Sequence, residues 1–392
     1  MNITLLLLLV SFSSWAVTSK GKLVNTHHDF SWKIFKSVAQ KNDNVFISPA
    51  SLYIVLSLCF EASQGETRQQ GMKFLGISPD QKGDLHPPLL EEIKALTKQK
   101  TVEFRMANAV WTDSAPGNEM GIKPPAPKFT KLAHSVYEAE VAPLKFKPTT
   151  EAAGFINKWV ENHTNKLIKD FINPGMLENV HMALVNAVYF KGTWKEQFDA
   201  AFTRGDIFFA SPSDKVKTDF MIKRETFSYL QDKDLQMVDI PYKDSDLAMT
   251  MILPSKESNL PAMIAKLDQA VLKNRFHSMK PEEIVLHIPK FTVTWGTMNL
   301  TSALEKMGMP VNGDFSDLGH KELKIQEVVH KAFIKVDEVG TEAAAVSAAL
   351  MRAGSMPTPK PEFFANRPFL YIIRNVKSGD WLFMGQMTRP EE

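Results

Sequence analysis

The stretch VVHKAFIKVDEVGTEAAA, residues 328–345, decides the fold of this chain. Its first half alternates in character, which predicts a half-buried β-strand. One face carries His330, Ala332, Ile334 and Val336, and the opposite face carries Lys331 and Lys335. The second half is a run of small residues that continues to Leu350. The question is which structure needs a strand followed directly by so many alanines.

Residues 337–350, DEVGTEAAAVSAAL, permit two answers. In a strand, one face would carry only the small side chains of Thr341, Ala343, Ala345, Ser347 and Ala349. The other face would carry Glu342, Ala344, Val346 and Ala348. Such a strand could enter between two existing strands, with Gly340 as a flexible pivot. Alanine is a weak strand former, so an alanine-rich helix leading into the prolines of segment 357–361 is the alternative.

Periodicity elsewhere predicts an α+β fold, because helices come mainly first and strands mainly later. Helices are expected over residues 29–40, 48–62 and 152–168. Strands are expected over residues 182–190, 247–253, 284–295, 328–336, 369–374 and 381–385. The first of these strands is apolar on both faces and should therefore lie centrally, covered on both sides.

Composition favours an ordinary globular protein. The 392 residues are 44% hydrophobic and 23% charged, and the formal net charge of +2 gives no general attraction to nucleic acid or membrane. The single cysteine, Cys59, excludes an intramolecular disulfide and is expected to be a small core residue.

The first 19 residues resemble a secretory signal peptide. A short apolar run from Leu5 to Val10 precedes possible cleavage positions after Ala16 or Ser19. We therefore expect a secreted chain in which residues 20–392 form one domain. Asn162 and Asn299 each begin a glycosylation sequon. The adjacent histidines 27 and 28 would lie near the new N-terminus and are expected to be solvated.

Enzyme motifs are missing from the sequence. It contains no G-x-S-x-G, no H-E-x-x-H, no P-loop and no clustered metal ligands, so we expect no enzymatic activity, no metal and no cofactor. Lys94, Lys98 and Lys100 lie close together in the sequence and could attract a sulfated polysaccharide, although a solvated face is the simpler interpretation.

Several motifs, in order along the chain, resemble the serpin family from about residue 28 to the C-terminus. They are NVFISPASLYIVLSL (44–58), LVNAVYFKGTWKEQF (184–198), the opening stretch, FFANRPFLYIIR (363–374) and FMG (383–385). The resemblance implies a metastable serpin fold of three sheets, about eight or nine helices and an exposed reactive loop at about residues 338–362. Inhibitory serpins trap a serine protease as an acyl-enzyme while the cut loop inserts into the main sheet.

The resemblance also assigns site residues. The hinge that must insert matches Glu338, Gly340, Thr341, Glu342, Ala343, Ala344 and Ala345. The region where strands part matches Ser48, Ser51, Asn186, His330 and Trp194. Small residues in the hinge favour an inhibitor. The alternative is a non-inhibitory relative, a carrier, storage protein or chaperone on the same scaffold.

The family's spacing, about 16 residues beyond Glu338, places the reactive bond between Gly354 and Ser355. Ala353, Arg352 and Met356 remain as alternatives to Gly354. A small residue suits an elastase-like pocket. Arg352 would attract a trypsin-like enzyme, and Met356 a chymotrypsin-like or elastase-like one. The expected partner is thus a serine protease, met by a monomer that binds neither nucleic acid nor membrane.

Overall fold

The structure is a computed structural model that describes residues 27–39, 43–78, 85, 88–99, 101–114, 118, 120–341 and 360–390. Nine α-helices occur within these ranges. They are α1 (27–38), α2 (Pro49–Glu61), α3 (Gly65–Phe74), α4 (Pro88–Leu96), α5 (Pro127–Tyr137), α6 (Thr149–His163), α7 (Leu260–Lys266), α8 (Gln269–Ser278) and α9 (Thr301–Lys306). In this part of the chain no helix is long and apolar enough to cross a bilayer.

The described strands form three sheets. In chain order they are β1 (Val45–Ile47), β2 (Val102–Thr112), β3 (Glu140–Pro143), β4 (Met182–Thr193), β5 (Arg204–Phe209), β6 (Lys215–Gln231), β7 (Leu235–Pro241), β8 (Leu247–Pro254), β9 (Lys280–Pro289), β10 (Phe291–Asn299), β11 (Asn312–Phe315), β12 (His320–Lys324), β13 (Glu327–Val336), β14 (Gly340–Thr341), β15 (Glu362–Phe364), β16 (Phe369–Asn375) and β17 (Trp381–Met387). The mixture of helices and sheets confirms the predicted α+β class.

The six-stranded sheet, here called the main sheet, has the order β10-β13-β14-β4-β2-β3. The nine-stranded sheet has the order β1-β17-β16-β8-β7-β6-β9-β15, with β5 paired to β6. Strands β11 and β12 form a separate two-stranded sheet. Strand β6 pairs with β5, β7 and β9, so that β15, which pairs with β9, belongs to the same sheet as β17.

Strand β4 is covered on both faces, as its apolar run predicts. Its even-numbered apolar side chains, such as Leu184 and Val188, belong to the large core that includes α2. Its odd-numbered ones, such as Val185, pack in a second core with Ile156 and Trp159 of α6. The main sheet is therefore a layer between α2 and α6.

Helix α2 begins at Pro49, within one residue of the predicted range 48–62. Ser48 is its N-cap and accepts a hydrogen bond from the Ser51 backbone N–H, and Pro49 occupies the first turn. All 13 residues of the helix are buried, including Cys59. This buried helix places two serine side chains directly behind the main sheet.

Two predicted boundaries need correction, and one prediction is not tested. The strand predicted over 284–295 is two strands, β9 and β10, which separate at Lys290. The helix predicted over 152–168 ends at His163, where the Thr164 hydroxyl bonds to the carbonyl oxygen of Val160 and competes with the helix. Residues 1–26, with the proposed signal peptide, lie outside the described residues.

The two adjacent histidines are buried rather than solvated. His27 Nε2 donates a hydrogen bond to the carbonyl oxygen of Trp381 at 3.1 Å. The His28 ring stacks on the Trp381 indole with centroids 4.6 Å apart. Helix α1 begins at residue 27 and brings both rings against the start of β17, which sequence periodicity did not indicate.

Candidate functional site: a seam in the main sheet

Two neighbouring strands of the main sheet, β4 and β13, run parallel. They pair from Ala183 and Glu327 to Tyr189 and Phe333. The strands outside them, β2 and β10, pair with them in the antiparallel sense. We call the parallel pair the seam. Parallel pairing is slightly less stable per residue than antiparallel pairing, so the seam is weaker than the two antiparallel ladders that flank it.

Strand β14 enters the top of the seam. After β13 ends at Val336 the chain reverses, and Gly340 and Thr341 pair antiparallel with Thr193 and Gly192 of β4. Thr341 also pairs with Val336 of β13. The first residues of the predicted hinge therefore already form a two-residue strand between β4 and β13.

The side chain of Asp337 holds this reversal. Its Oδ1 accepts hydrogen bonds from the backbone N–H groups of Val339, at 3.1 Å, and Gly340, at 3.3 Å. The Asp337 N–H donates to the carbonyl oxygen of Gly340 at 2.9 Å. The turn therefore directs Gly340 and Thr341 into the space between β4 and β13.

Gly340 is required for a different reason from the one predicted. A Cβ atom at this position would lie 2.1 Å from the carbonyl oxygen of Gly192 and 2.7 Å from the Cα of Thr193. The glycine does not have a positive φ. Its role in this structure is to permit close approach of its backbone to that of β4.

A polar cluster crosses the seam where the resemblance placed it. His330 and Asn186 are directly opposite each other in the register, with His330 Nδ1 2.6 Å from Asn186 Oδ1. The Ser48 backbone N–H donates to His330 Nε2 at 3.2 Å. Asn186 Nδ2 donates to the hydroxyl of Ser51. All four predicted residues are fully buried and connected by these bonds.

These bonds also set the state of the imidazole. Nε2 accepts from Ser48, so Nδ1 carries the proton and donates to Asn186. Burial lowers the pKa of His330 to about 3, although its contact with Asn186 opposes the shift. The ring is therefore neutral at physiological pH, and a second proton would meet the Ser48 N–H.

Trp194 lies at the entrance of the seam, as predicted. It is fully buried, and its indole N–H donates to the carbonyl oxygen of Asp337 at 2.9 Å. Its backbone N–H donates to the carbonyl oxygen of Val339 at 3.0 Å, and its ring stacks on Tyr242. The tryptophan therefore holds both ends of the turn that directs β14.

Glu338 is fastened at the same entrance. Its carboxylate lies 3.0 Å from Nζ of Lys290 and accepts from the hydroxyl of Thr203 at 2.9 Å. Its backbone carbonyl accepts from the N–H of Phe198 at 2.8 Å. The predicted hinge residue thus joins β13 to the corner between β9 and β10.

Sequence reasoning missed several residues of the site. Asn108 of β2 extends the polar cluster by accepting from Asn186 Nδ2 at 2.6 Å, and a lone asparagine in an apolar strand was its only signal. Lys331 was placed correctly on the outer face, but it is buried there. Its ammonium donates to the carbonyl oxygens of Lys169, at 2.7 Å, and Asp170, at 3.1 Å, and so ties the segment after α6 over the seam.

Other predicted residues are separate from the seam. Asn162, in the last turn of α6, and Asn299, at the end of β10, are both exposed. Lys94 pairs with Glu91 at 3.0 Å, so part of the proposed cationic group is neutralised locally. Lys98 is exposed, and Lys100 lies outside the described residues.

The remaining loop residues also lie outside the described residues. These are Glu342, Ala343, Ala344, Ala345, Arg352, Ala353, Gly354, Ser355 and Met356. The chain is described again from Lys360, whose Nζ lies 2.7 Å from Glu283. Next, β15 pairs with β9. The loop therefore leaves from the seam and returns at the edge of the nine-stranded sheet.

Comparisons with known proteins agree with the fold. A family model described as Serpin (serine protease inhibitor) matches residues 25–390. An uncharacterised serpin-like protein of Thermococcus kodakarensis is 32% identical, over 94% of this chain and 86% of the relative. Antitrypsin of Bombyx mori is 31% identical, over 92% of this chain and 93% of the relative. The structure of human thyroxine-binding globulin complexed with its ligand superposes with a TM-score of 0.82 at 25% identity, covering 95% of this chain and all of that one.

Proposed function

Because this chain belongs to the serpin family, whose members are generally protease inhibitors, we propose that it is a secreted suicide-substrate inhibitor of serine proteases. The protease's serine attacks the reactive bond and forms an ester with the loop residue, releasing the new N-terminus beyond it. The freed loop then inserts into the seam before water hydrolyses the ester. The observation that carries this proposal is β14, a strand already begun between β4 and β13.

Continuing the register of β14 makes the proposal specific. If the register is continued residue by residue from Thr341, Ser347 comes opposite both Asn186 of β4 and His330 of β13. These two residues already face each other. Both strands therefore keep their present alignment during insertion. They need only move apart sideways by one strand spacing, about 4.8 Å.

Insertion would also improve the pairing. The loop would run antiparallel to both neighbours, as β14 does, so one parallel ladder would become two antiparallel ladders. An inserted run of about 11 residues adds roughly ten backbone hydrogen bonds, each worth about 0.5–1.5 kcal/mol. That gain is on the order of the stability of a whole domain, enough to hold a distorted protease.

The same register assigns the two faces of the loop. Thr341 is opposite Gly192, and the even-numbered residues of β4 face the large core. Odd-numbered loop residues would therefore enter the core side, where each one from Thr341 to Ala349 is small. This agrees with the strand interpretation of residues 337–350 and disfavours the helix.

The length of the seam supports Gly354–Ser355 as the reactive bond. Met182 starts β4, and the continued register brings Met351 opposite it. A cut after Gly354 leaves enough chain to fill the whole seam, with a short tail to the protease. A cut after Arg352 leaves almost no tail, and a cut after Met356 leaves a longer one. We retain Arg352, Ala353 and Met356 as the alternatives.

The deciding experiment incubates the protein with elastase, trypsin, chymotrypsin and cathepsin G. We expect a covalent complex that survives detergent and boiling with an elastase-like enzyme. Mass spectrometry of the released C-terminal peptide then identifies the cut bond. Cleavage without any stable complex for every enzyme would reject the inhibitory function.

A matched pair of variants tests the insertion step. Thr341→Arg places a cation on the core face and should turn the inhibitor into a substrate. Thr341→Ala keeps a small side chain and should still trap the protease. Full trapping by Thr341→Arg would contradict the insertion mechanism even if the protein remained an inhibitor.

A carrier function is the second candidate, because the fold is shared with thyroxine-binding globulin. The small residues of the hinge do not favour it. Nicking the loop and heating the product separates the candidates. An inserted loop should raise the melting temperature well above that of the intact chain, whereas a loop that stays outside should leave the melting temperature unchanged.

A further inference from the structure

A wide groove lies far from the seam, between helices α1 and α7 and the adjoining ends of β8, β16 and β17. The turn between β5 and β6 closes one side of it. Its volume is about 1500 Å³, large enough for an extended organic molecule. None of the residues that carry the proposed protease inhibition lines this groove.

Apolar side chains form much of the groove surface. Leu260 and Trp32 are buried beneath it, and Ile264 of α7 is half-buried at its wall. Phe209 leaves 41% of its surface exposed at the rim. A long apolar chain would cover surface that water now contacts, which is favourable by roughly 25 cal/mol per Å² buried.

The groove also contains a fixed cation, Arg367. Its Nη2 and Nε donate to the carbonyl oxygen of Pro254 at 2.6 and 3.2 Å, and Nη1 lies 3.4 Å from Oδ1 of Asn366. Both partners are uncharged. Burial lowers the pKa of Arg367, and Glu257 only partly offsets this. A partly buried guanidinium with neutral partners gains from an anion.

The acidic residues around the groove already have partners. Asp29 pairs with Lys33 at 2.6 Å, and Asp214 pairs with Arg389 at 3.1 Å. Asp268 caps α8 by accepting from the Val271 N–H. Arg367 and the exposed Lys36 form no ion pair with any described carboxylate. The residues that line the groove carry four cations and three carboxylates, a net charge of +1, and no described carboxylate forms an ion pair with Arg367.

We propose that the groove binds the anion of a free long-chain fatty acid. The carboxylate bonds to the Arg367 guanidinium, whose remaining N–H groups are directed by its two fixed contacts. The hydrocarbon chain lies along Ile264 and Leu260. Lys36 adds a second positive charge near the opening. This site is independent of the proposed protease inhibition.

Fluorescence titration of the full chain with cis-parinaric acid, below its critical micelle concentration, tests the site. The methyl ester has the same chain without the charge, and we expect it to bind at least tenfold more weakly. Arg367→Met should weaken binding of the acid by roughly tenfold or more and leave binding of the ester unchanged. Arg204→Met is the matched control, because Arg204 also donates only to carbonyl oxygens but lies on β5 outside the groove.

Ile264→Asp supplies a second test that does not disturb Arg367. It places a carboxylate on the apolar wall and should abolish binding of both ligands. Equal binding of acid and ester, or full binding by Ile264→Asp, would overturn the proposal. A wild-type dimer in light scattering that Ile264→Asp converts to monomer would assign the groove to a second copy instead. Binding only to phosphatidylcholine vesicles, and not to the free acid, would assign it to a lipid surface; either result also overturns the proposal.

Discussion

The ammonium of Lys290 and the carboxylate of Glu338 lie 3.0 Å apart and close the top of the seam. Lys290 belongs to the corner between β9 and β10, and Glu338 to the turn that follows β13. Burial alone would raise the pKa of Glu338, but its own backbone N–H, Lys290 and Thr203 together lower it. The contact therefore fastens the point at which the loop would begin to insert.

Glu338→Lys should open this entrance, because it places a second ammonium group beside that of Lys290 in a partly covered site. We expect the seam to part without cleavage, so that the uncut protein loses inhibitory activity and forms oligomers faster on warming. The loss of stability should be on the order of 1–2 kcal/mol. Size-exclusion chromatography after timed incubation, with residual protease inhibition, measures both effects.

Two further variants separate this pair from a general effect of charge. Lys290→Glu combined with Glu338→Lys restores opposite charges and should recover most of the lost lifetime. Glu305→Lys makes the same charge change on exposed α9, away from the seam, and should behave as wild type. If Glu305→Lys shortened the lifetime as much, the pair would not be the cause.

Lys335 is predicted to take part in the inserted state. The continued register brings Glu342 between Lys191 of β4 and Lys335 of β13, on the outer face of the sheet. Opposite charges directly across strands contribute roughly 0.2–1 kcal/mol, and like charges destabilise. Lys335→Glu should therefore slow insertion and raise the number of inhibitor molecules consumed per protease trapped. That ratio is measured by titrating a fixed amount of protease.

The effect of Lys335 on the inserted state must be separated from its effect on the turn in the intact protein. Lys335 also lies 3.7 Å from Asp337, so its loss could act through the turn instead. In a Glu342→Gln background, Lys335→Glu should no longer raise the ratio if the contact between residues 335 and 342 matters. If Lys335→Glu raised the ratio equally in that background, the turn would be the site of action.

Prediction from sequence succeeded where a local pattern determines the outcome. Alternation placed the inner and outer faces of β13 correctly, and the start of α2 was predicted to within one residue. It failed where partners are distant in sequence. No local pattern connects Lys290 with Glu338, 48 residues later, or shows that a Cβ at position 340 would meet Gly192. The break at Lys290 is likewise decided by β9 and β10 joining different sheets.

Lys331→Met should stabilise the uncut protein. Burial lowers the pKa of Lys331, which means that its site disfavours the charged form despite the two carbonyl contacts. Replacing a buried charge by an apolar side chain of similar length is often stabilising, here by about 1 kcal/mol. A firmer seam should also insert the loop more slowly. We expect a higher melting temperature together with a lower fraction of protease trapped.

Lys335→Met is the matched control for the melting temperature alone, because Lys335 lies on the same face of β13 but is exposed. It should change the free energy of unfolding by less than about 0.5 kcal/mol, so the melting temperature should stay close to that of wild type. A lower melting temperature for Lys331→Met would show that its bonds to Lys169 and Asp170 outweigh the burial of its charge.

Mild acid should weaken the seam through His330. In the folded protein the pKa of His330 is about 3, below the ordinary value of 6.5. An opened or unfolded chain therefore binds a proton that the closed seam excludes. Stability is therefore complete above pH 6.5 and is lost as the pH falls toward 3. The loss is about 1.4 kcal/mol per pH unit below 6.5 for each such histidine. Urea unfolding and oligomerisation rates at pH 7.5, 6 and 5 measure it.

His28 must be separated from His330 in this experiment, since burial also lowers its pKa to about 3. His28→Phe keeps the stacking on Trp381 and removes one titrating group, so it should reduce the slope of stability against pH without changing oligomerisation at the seam. His330→Gln removes the proton acceptor within the seam. Its oligomerisation rate should then be nearly independent of pH, although higher at pH 7.5 because the bonds to Ser48 and Asn186 are disturbed. Acid-accelerated oligomerisation that persists in His330→Gln would place the sensitive group elsewhere.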